Sequence, residues 1–156
     1  MGVTIKLEGI GDVDQVFKQL ADEIGDKKAT SKVLIPAVRE AIKPVLAMAR
    51  ANAPVDTGDL RRTLQIEARR PSNRDRRSKY VQVGDKAIAV VTTAPEKKLK
   101  KMGVKSDARA VAQEFGTSRN PAHPFLRTSL ESQAQGVVDR LAHILARRLE
   151  TYRKTT

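Results

Sequence analysis

The sequence predicts an α+β protein: a small antiparallel sheet packed against a kinked helix and a long C-terminal helix. Three observations point there. Apolar residues recur every three or four positions over residues 130–152, a second helical stripe over residues 33–49 contains two prolines, and short β-branched runs surround the stripes. The 156 residues fit one domain spanning the whole chain. At that size folding buries roughly 68–70% of the unfolded surface. A core can therefore form without staples, and none is available, since the chain has no cysteine.

The elements follow in order. Residues 3–8 (VTIKLE) alternate apolar and polar and read as a short strand. Asp12 or Asp14 then offers an N-cap for a helix striped by Val13, Val16, Phe17, Leu20 and Ile24, with Gly25 as its stop. A second helix opens at Thr30 or Ser31 and carries Val33, Leu34, Ala37, Val38, Ala41, Ile42, Val45, Leu46 and Ala49. Pro36 suits a first turn, whereas Pro44 predicts a kink or break. Asp56-Thr57-Gly58-Asp59 is a turn, followed by a strand in LRRTLQIEA.

Residues 69–79 carry five arginines and Lys79 against Asp75 alone, which reads as a mobile, solvated loop. Residues 80–93 read as a β-hairpin turning at Gly84-Asp85-Lys86. A second mobile basic stretch, residues 95–109, contains Lys97, Lys98, Lys100, Lys101 and Lys105, with helix and loop both open. Ala110 to Phe115 is a short strand or helical turn ended by Gly116. Pro124 then introduces the last helix, striped by Leu130, Ala134, Val137, Val138, Leu141, Leu145, Leu149 and Tyr152.

Charge dominates the composition, with 30 Lys and Arg against 18 Asp and Glu, a formal +12. Such a field favours nucleic acid, anionic surfaces or acidic proteins as partners. Aromatic residues are only 3% of the chain, too few for a module that stacks bases. The expected contact is therefore with phosphate rather than base. No run approaches the roughly 20 apolar residues of a membrane span, and residues 1–15 lack a signal-peptide pattern. The expectation is a protein made in the cytoplasm with no membrane partner.

Catalytic chemistry finds no support. His123 and His143 are the only histidines, and no HExxH, DxDxDG or GxSxG pattern occurs. The glycines of residues 9–11 lack the rest of a phosphate-binding fingerprint. Asp56, Asp59 and Glu114 are placed for turns and helix caps rather than acid–base work. No catalytic, metal or cofactor site is expected.

Two segments together are more specific. ANAPVDTGDLRRTL (residues 51–64) follows the second helix, and AQEFGTSRNPAHPFLRTSLE (residues 112–131) leads into the last. This ordered pair resembles the HK97 gp10-like family of tailed-phage neck and tail-completion proteins, over roughly residues 10–150. The resemblance implies a structural virion protein at the head–tail junction, synthesised in the host bacterial cytoplasm. It further implies a homo-oligomeric ring, sixfold by the resemblance, around the DNA channel. Its partners would be the connector or stopper, the terminator and the tail tube, with genomic DNA in the channel.

The motif residues expected to serve folding and assembly are Asp56, Thr57, Gly58, Leu60, Arg61, Glu114, Phe115, Gly116, Thr117, Pro124, Phe125 and Leu126. Gly58 permits a tight turn, Arg61 is free for an inter-subunit carboxylate, and Gly116 with Thr117 turns the chain after Phe115. Pro121 and Pro124 stiffen the approach to the last helix, which Phe125 and Leu126 anchor. Arg69, Arg70, Arg74, Arg76, Arg77, Lys97, Lys98, Lys100 and Lys101 are the candidates for contact with DNA or a partner. The competing reading is a non-specific DNA-binding protein of a phage or prophage.

Overall fold

The structure, a computed structural model, describes residues 10–55, 58–104 and 108–155. The strand expected at residues 3–8, the Asp56-Thr57 half of the first turn and Lys105 lie outside the described residues. The architecture is α+β, with a two-strand antiparallel sheet, a kinked helix and a long C-terminal helix.

Helix α1 (Ile10–Ile24) buries Phe17 and Leu20 and half-buries Val13, Val16 and Ile24, the expected stripe. Asp12 and Asp14 lie inside it rather than capping it, and Asp14 pairs with Lys18 one turn on at 2.8 Å. Gly25 ends the helix at φ 88°, a conformation that suits the one residue without a Cβ.

The second helical ribbon opens at Asp26, four or five residues before the expected start at Thr30 or Ser31. It comprises α2 (Asp26–Lys28), a π-helical stretch (Ala29–Leu34), α3 (Ile35–Ala41) and α4 (Lys43–Asn52). Its π character shows where the Ile35 N–H reaches back to the Thr30 carbonyl. That widened turn stands directly before Pro36, whose ring would otherwise press on the carbonyl four residues earlier. Pro44 acts the same way, yet the ribbon opens at Ile42 (φ −85°, ψ −5°), two residues ahead of the proline. The strain is relieved upstream because the clash is with an upstream carbonyl.

The remaining elements are α5 (Asp59–Thr63), β1 (Leu64–Arg69), a 3₁₀ turn (Asp75–Arg77), β2 (Ile88–Thr93), α6 (Glu96–Lys101), α7 (Ala108–Phe115) and α8 (Leu126–Thr155). The strand read from Leu60 starts only at Leu64, because residues 59–63 form a helical turn behind Gly58. The hairpin read over residues 80–93 does not form, since β2 pairs with β1 instead. Residues 82–85 keep the turn: the Asp85 carboxylate accepts the Gln82 N–H at 2.8 Å. Arg76 donates to the Gln82 and Val83 carbonyls, so these groups find partners without a facing strand. Residues 96–101 resolve to helix, as do residues 108–115.

Alternation along β1 exposes its outer edge. The Ala94 N–H bonds the Thr63 carbonyl at 2.8 Å, so residues 64, 66 and 68 face away from β2. Arg50 donates to the Leu64 carbonyl at 2.9 Å and Arg39 to the Ala68 carbonyl at 3.2 Å. Two guanidiniums thereby occupy acceptors that could recruit a foreign strand.

The chain divides into two compact units, one of residues 1–42, 67–90 and 135–156, the other of residues 43–66 and 91–134. Phe17, Leu20, Val33, Leu34, Ile144, Leu145 and Leu149 build the core of the first, with Ala29, Ala37 and Ala41 letting helices approach closely. Ala49, Ala53, Leu64, Ala110 and Phe125 build the core of the second, with Leu46, Leu60, Val91 and Leu126 at its margin. The α8 stripe is buried or half-buried from Ala134 to Tyr152, but Leu130 is exposed.

Candidate functional site

The second motif forms a closed hydrogen-bonding device. Glu114, in the last turn of α7, is buried, and its carboxylate faces the start of α8. One oxygen accepts the Phe125 and Leu126 N–H groups at 3.0 and 2.9 Å, and the other accepts the Arg127 N–H at 3.0 Å. A helix start leaves its first N–H groups without internal partners and carries partial positive charge. A carboxylate eleven residues upstream supplies both needs, so Glu114 is a cap delivered from another helix.

Gly116 makes that delivery possible. It adopts φ 75°, and a Cβ there would stand 2.7 Å from the Ala122 nitrogen and 3.1 Å from the Asn120 carbonyl oxygen. The Thr117 N–H bonds the Asn120 carbonyl at 2.8 Å, and its hydroxyl accepts the Asn120 N–H at 3.1 Å. The His123 N–H closes the loop on the Gln113 carbonyl at 2.7 Å. Pro124 ends this loop, and Phe125, 2% exposed, enters the core of the second unit. Burial of such a ring is worth roughly 1.5–3 kcal/mol. Leu126 packs at the margin of the same core. Phe115 points the other way and is 76% exposed.

The first motif serves the same unit. Gly58 sits at φ 77° before α5, and open space surrounds the position its Cβ would take. Leu60 packs beside Phe125 and Leu64 in one cluster. Arg61, expected to be free for a neighbouring subunit, instead donates at 3.3 Å to the Ala51 and Ala53 carbonyls at the end of α4. A cation suits a helix C-terminus, where carbonyls lack partners.

Ser129 carries no signal of its role in the sequence. It is wholly buried on α8, bonds back to the Phe125 carbonyl and accepts Asn52 Nδ2 at 3.2 Å. The partners lie 77 residues apart, so no local spacing signals the pair.

Among the described residues, both basic stretches make specific side-chain bonds. Arg69 is clamped between Glu67 and Asp75, and Asp75 also accepts the Ser72 N–H at 2.7 Å and hydroxyl at 2.6 Å. The Arg69 guanidinium, then the Ser72 groups, hold the Asp75 carboxyl well below the usual carboxylate range. A depressed carboxyl stabilises wherever it is ionised, so this clamp weakens only as pH falls below that range. Arg70 donates to the Lys27 carbonyl at 3.0 Å. In α6, Lys97, Lys98, Lys100 and Lys101 are exposed while Leu99 is buried. Lys98 reaches Gln65 at 2.9 Å and Lys100 reaches Glu96 at 2.9 Å.

Among the described residues no three His, Asp or Glu gather where they could hold a metal ion, and both histidines are exposed. No described helix is long and apolar enough to cross a membrane. The profile of a family described as "Bacteriophage HK97-gp10, putative tail-component" matches residues 14–116. The chain belongs to the HK97-gp10-like family. The matched span includes the whole first motif and ends at Gly116, inside the second. No curated protein and no solved structure matches the chain. Membership in the HK97-gp10-like family makes this a structural component of a phage tail, in the virion among other tail proteins.

Proposed function

We propose that this tail component works at the head–tail junction, as one domain repeated in a closed ring around the DNA channel. The observation that carries the proposal is the family match, joined to a motif whose second half continues past it into the start of α8. Both motifs maintain the subunit: Glu114, Gly116 and Arg61 all spend their chemistry inside it. What remains for assembly is the surface, and a cyclic ring needs a different surface for each neighbour. The lysines of α6 on such a ring would meet phosphate without reading bases.

Quantitative mass spectrometry of purified virions tests the ring, which predicts about six copies per particle. Absence from virions, or a copy number many times larger, contradicts it. The second reading, a non-specific DNA-binding protein, is favoured by the lysine face of α6. It requires tight duplex binding by the isolated protein, with a steep loss on added salt.

A further inference from the structure

The two basic stretches differ in chemistry. The α6 face presents four lysines and one acid, Glu96, with its one large apolar residue, Leu99, turned inward. The segment from Ser72 to Asp85 presents arginines together with exposed apolar groups: Tyr80 is 71% exposed and Val83 is 94% exposed. It is also tied to itself. The Asp75 clamp fixes one end, Arg76 holds the Gln82 and Val83 carbonyls, and the Ser78 and Val81 N–H groups close turns on Asp75 and Ser78. Arg74 and Arg77 stand three residues apart across the 3₁₀ turn, where side chains eclipse, so they share a side. Lys79 lies over the Tyr80 ring at 5.1 Å.

We infer that this preorganised loop is a docking surface for an acidic protein partner whose carboxylates surround an apolar patch. Three physical points select that partner. Guanidinium forks match carboxylates bidentately, and Tyr and Arg are the residues that dominate protein interfaces. A phosphate backbone offers nothing apolar to Val83 or Tyr80. A loop already held in one shape loses little entropy on binding. The inference rests on the chain's acting among other tail proteins and is independent of its place in the neck.

The test measures fluorescence anisotropy of the full-length protein at about 0.15 M salt, where long-range attraction is screened. Three labelled probes are compared: a short peptide alternating acidic residues with leucine, a polyglutamate of equal charge and a short DNA duplex. The Y80S/V83S double variant is expected to weaken the leucine-containing peptide about tenfold and leave polyglutamate and duplex unchanged. R74Q/R77Q weakens both peptides. Asp75→Asn, which loosens the clamp, also weakens the leucine-containing peptide. All substituted side chains except Asp75 are exposed, so an unchanged melting temperature for the two double variants confirms intact folding. Equal binding of the two peptides, no effect of Y80S/V83S, or a duplex that binds best through Arg74 and Arg77 would overturn the inference. Failure here leaves the copy number per virion untouched, so the two readings fail separately.

Discussion

Gly116→Ala is expected to destabilise the protein by about 3 kcal/mol, measured by urea unfolding. Two costs combine. An alanine at φ 75° occupies the left-handed region at roughly 1 kcal/mol. Its Cβ would also lie 2.7 Å from the Ala122 nitrogen, and backbone cannot yield as a flexible side chain can. The melting temperature should fall by roughly 6–12 °C for a chain of this size. Gly58→Ala is the internal control: it shares the positive φ but meets open space, so only about 1 kcal/mol is lost. Equal effects at the two glycines would contradict the close approach at Gly116.

Glu114→Ala is expected to cost a similar amount, about 3 kcal/mol, because three N–H groups at the start of α8 lose their acceptor together. Glu114→Gln should recover part of this. An amide offers one acceptor oxygen where the carboxylate offers two, and it carries no charge to meet the helix dipole. Hydrogen exchange gives a second reading, with the Phe125, Leu126 and Arg127 amides losing protection first. Full stability in the alanine variant would show that the cap contributes nothing.

These two residues also show what a sequence discloses. Glu114 and Gly116 stand out in the second motif, and a capping role for the acid is legible as a type of chemistry. Its target, eleven residues onward at the head of another helix, becomes visible only in three dimensions. The α1 stripe, the lower α8 stripe and the α+β class were legible because helical periodicity is a local signal. The errors fall where tertiary partners outcompete local pattern. The run Leu60 to Thr63 leads straight into the alternation of Leu64, Ile66 and Ala68 but coils behind Gly58. Tyr80 to Val83 has strand composition, yet its backbone groups are taken by Asp85 and Arg76, and β2 pairs with β1.

Charge is a property of composition in the sequence, and the structure changes the meaning of individual charged residues. Arg69 and Arg61 look available in the sequence but are spent on Asp75, Glu67 and helix-end carbonyls. Arg39 and Arg50, with no distinguishing signal on their amphipathic helices, bond carbonyls on the open edge of β1. Counting cations overstates the binding surface. Arg74 and Arg77, in the loop that Asp75 organises, remain exposed.

Electron microscopy of particles made by the parent phage with this gene inactivated tests the central claim most directly. A head–tail junction role predicts filled heads accumulating beside separate, otherwise complete tails. Normal virions that remain infectious would contradict it.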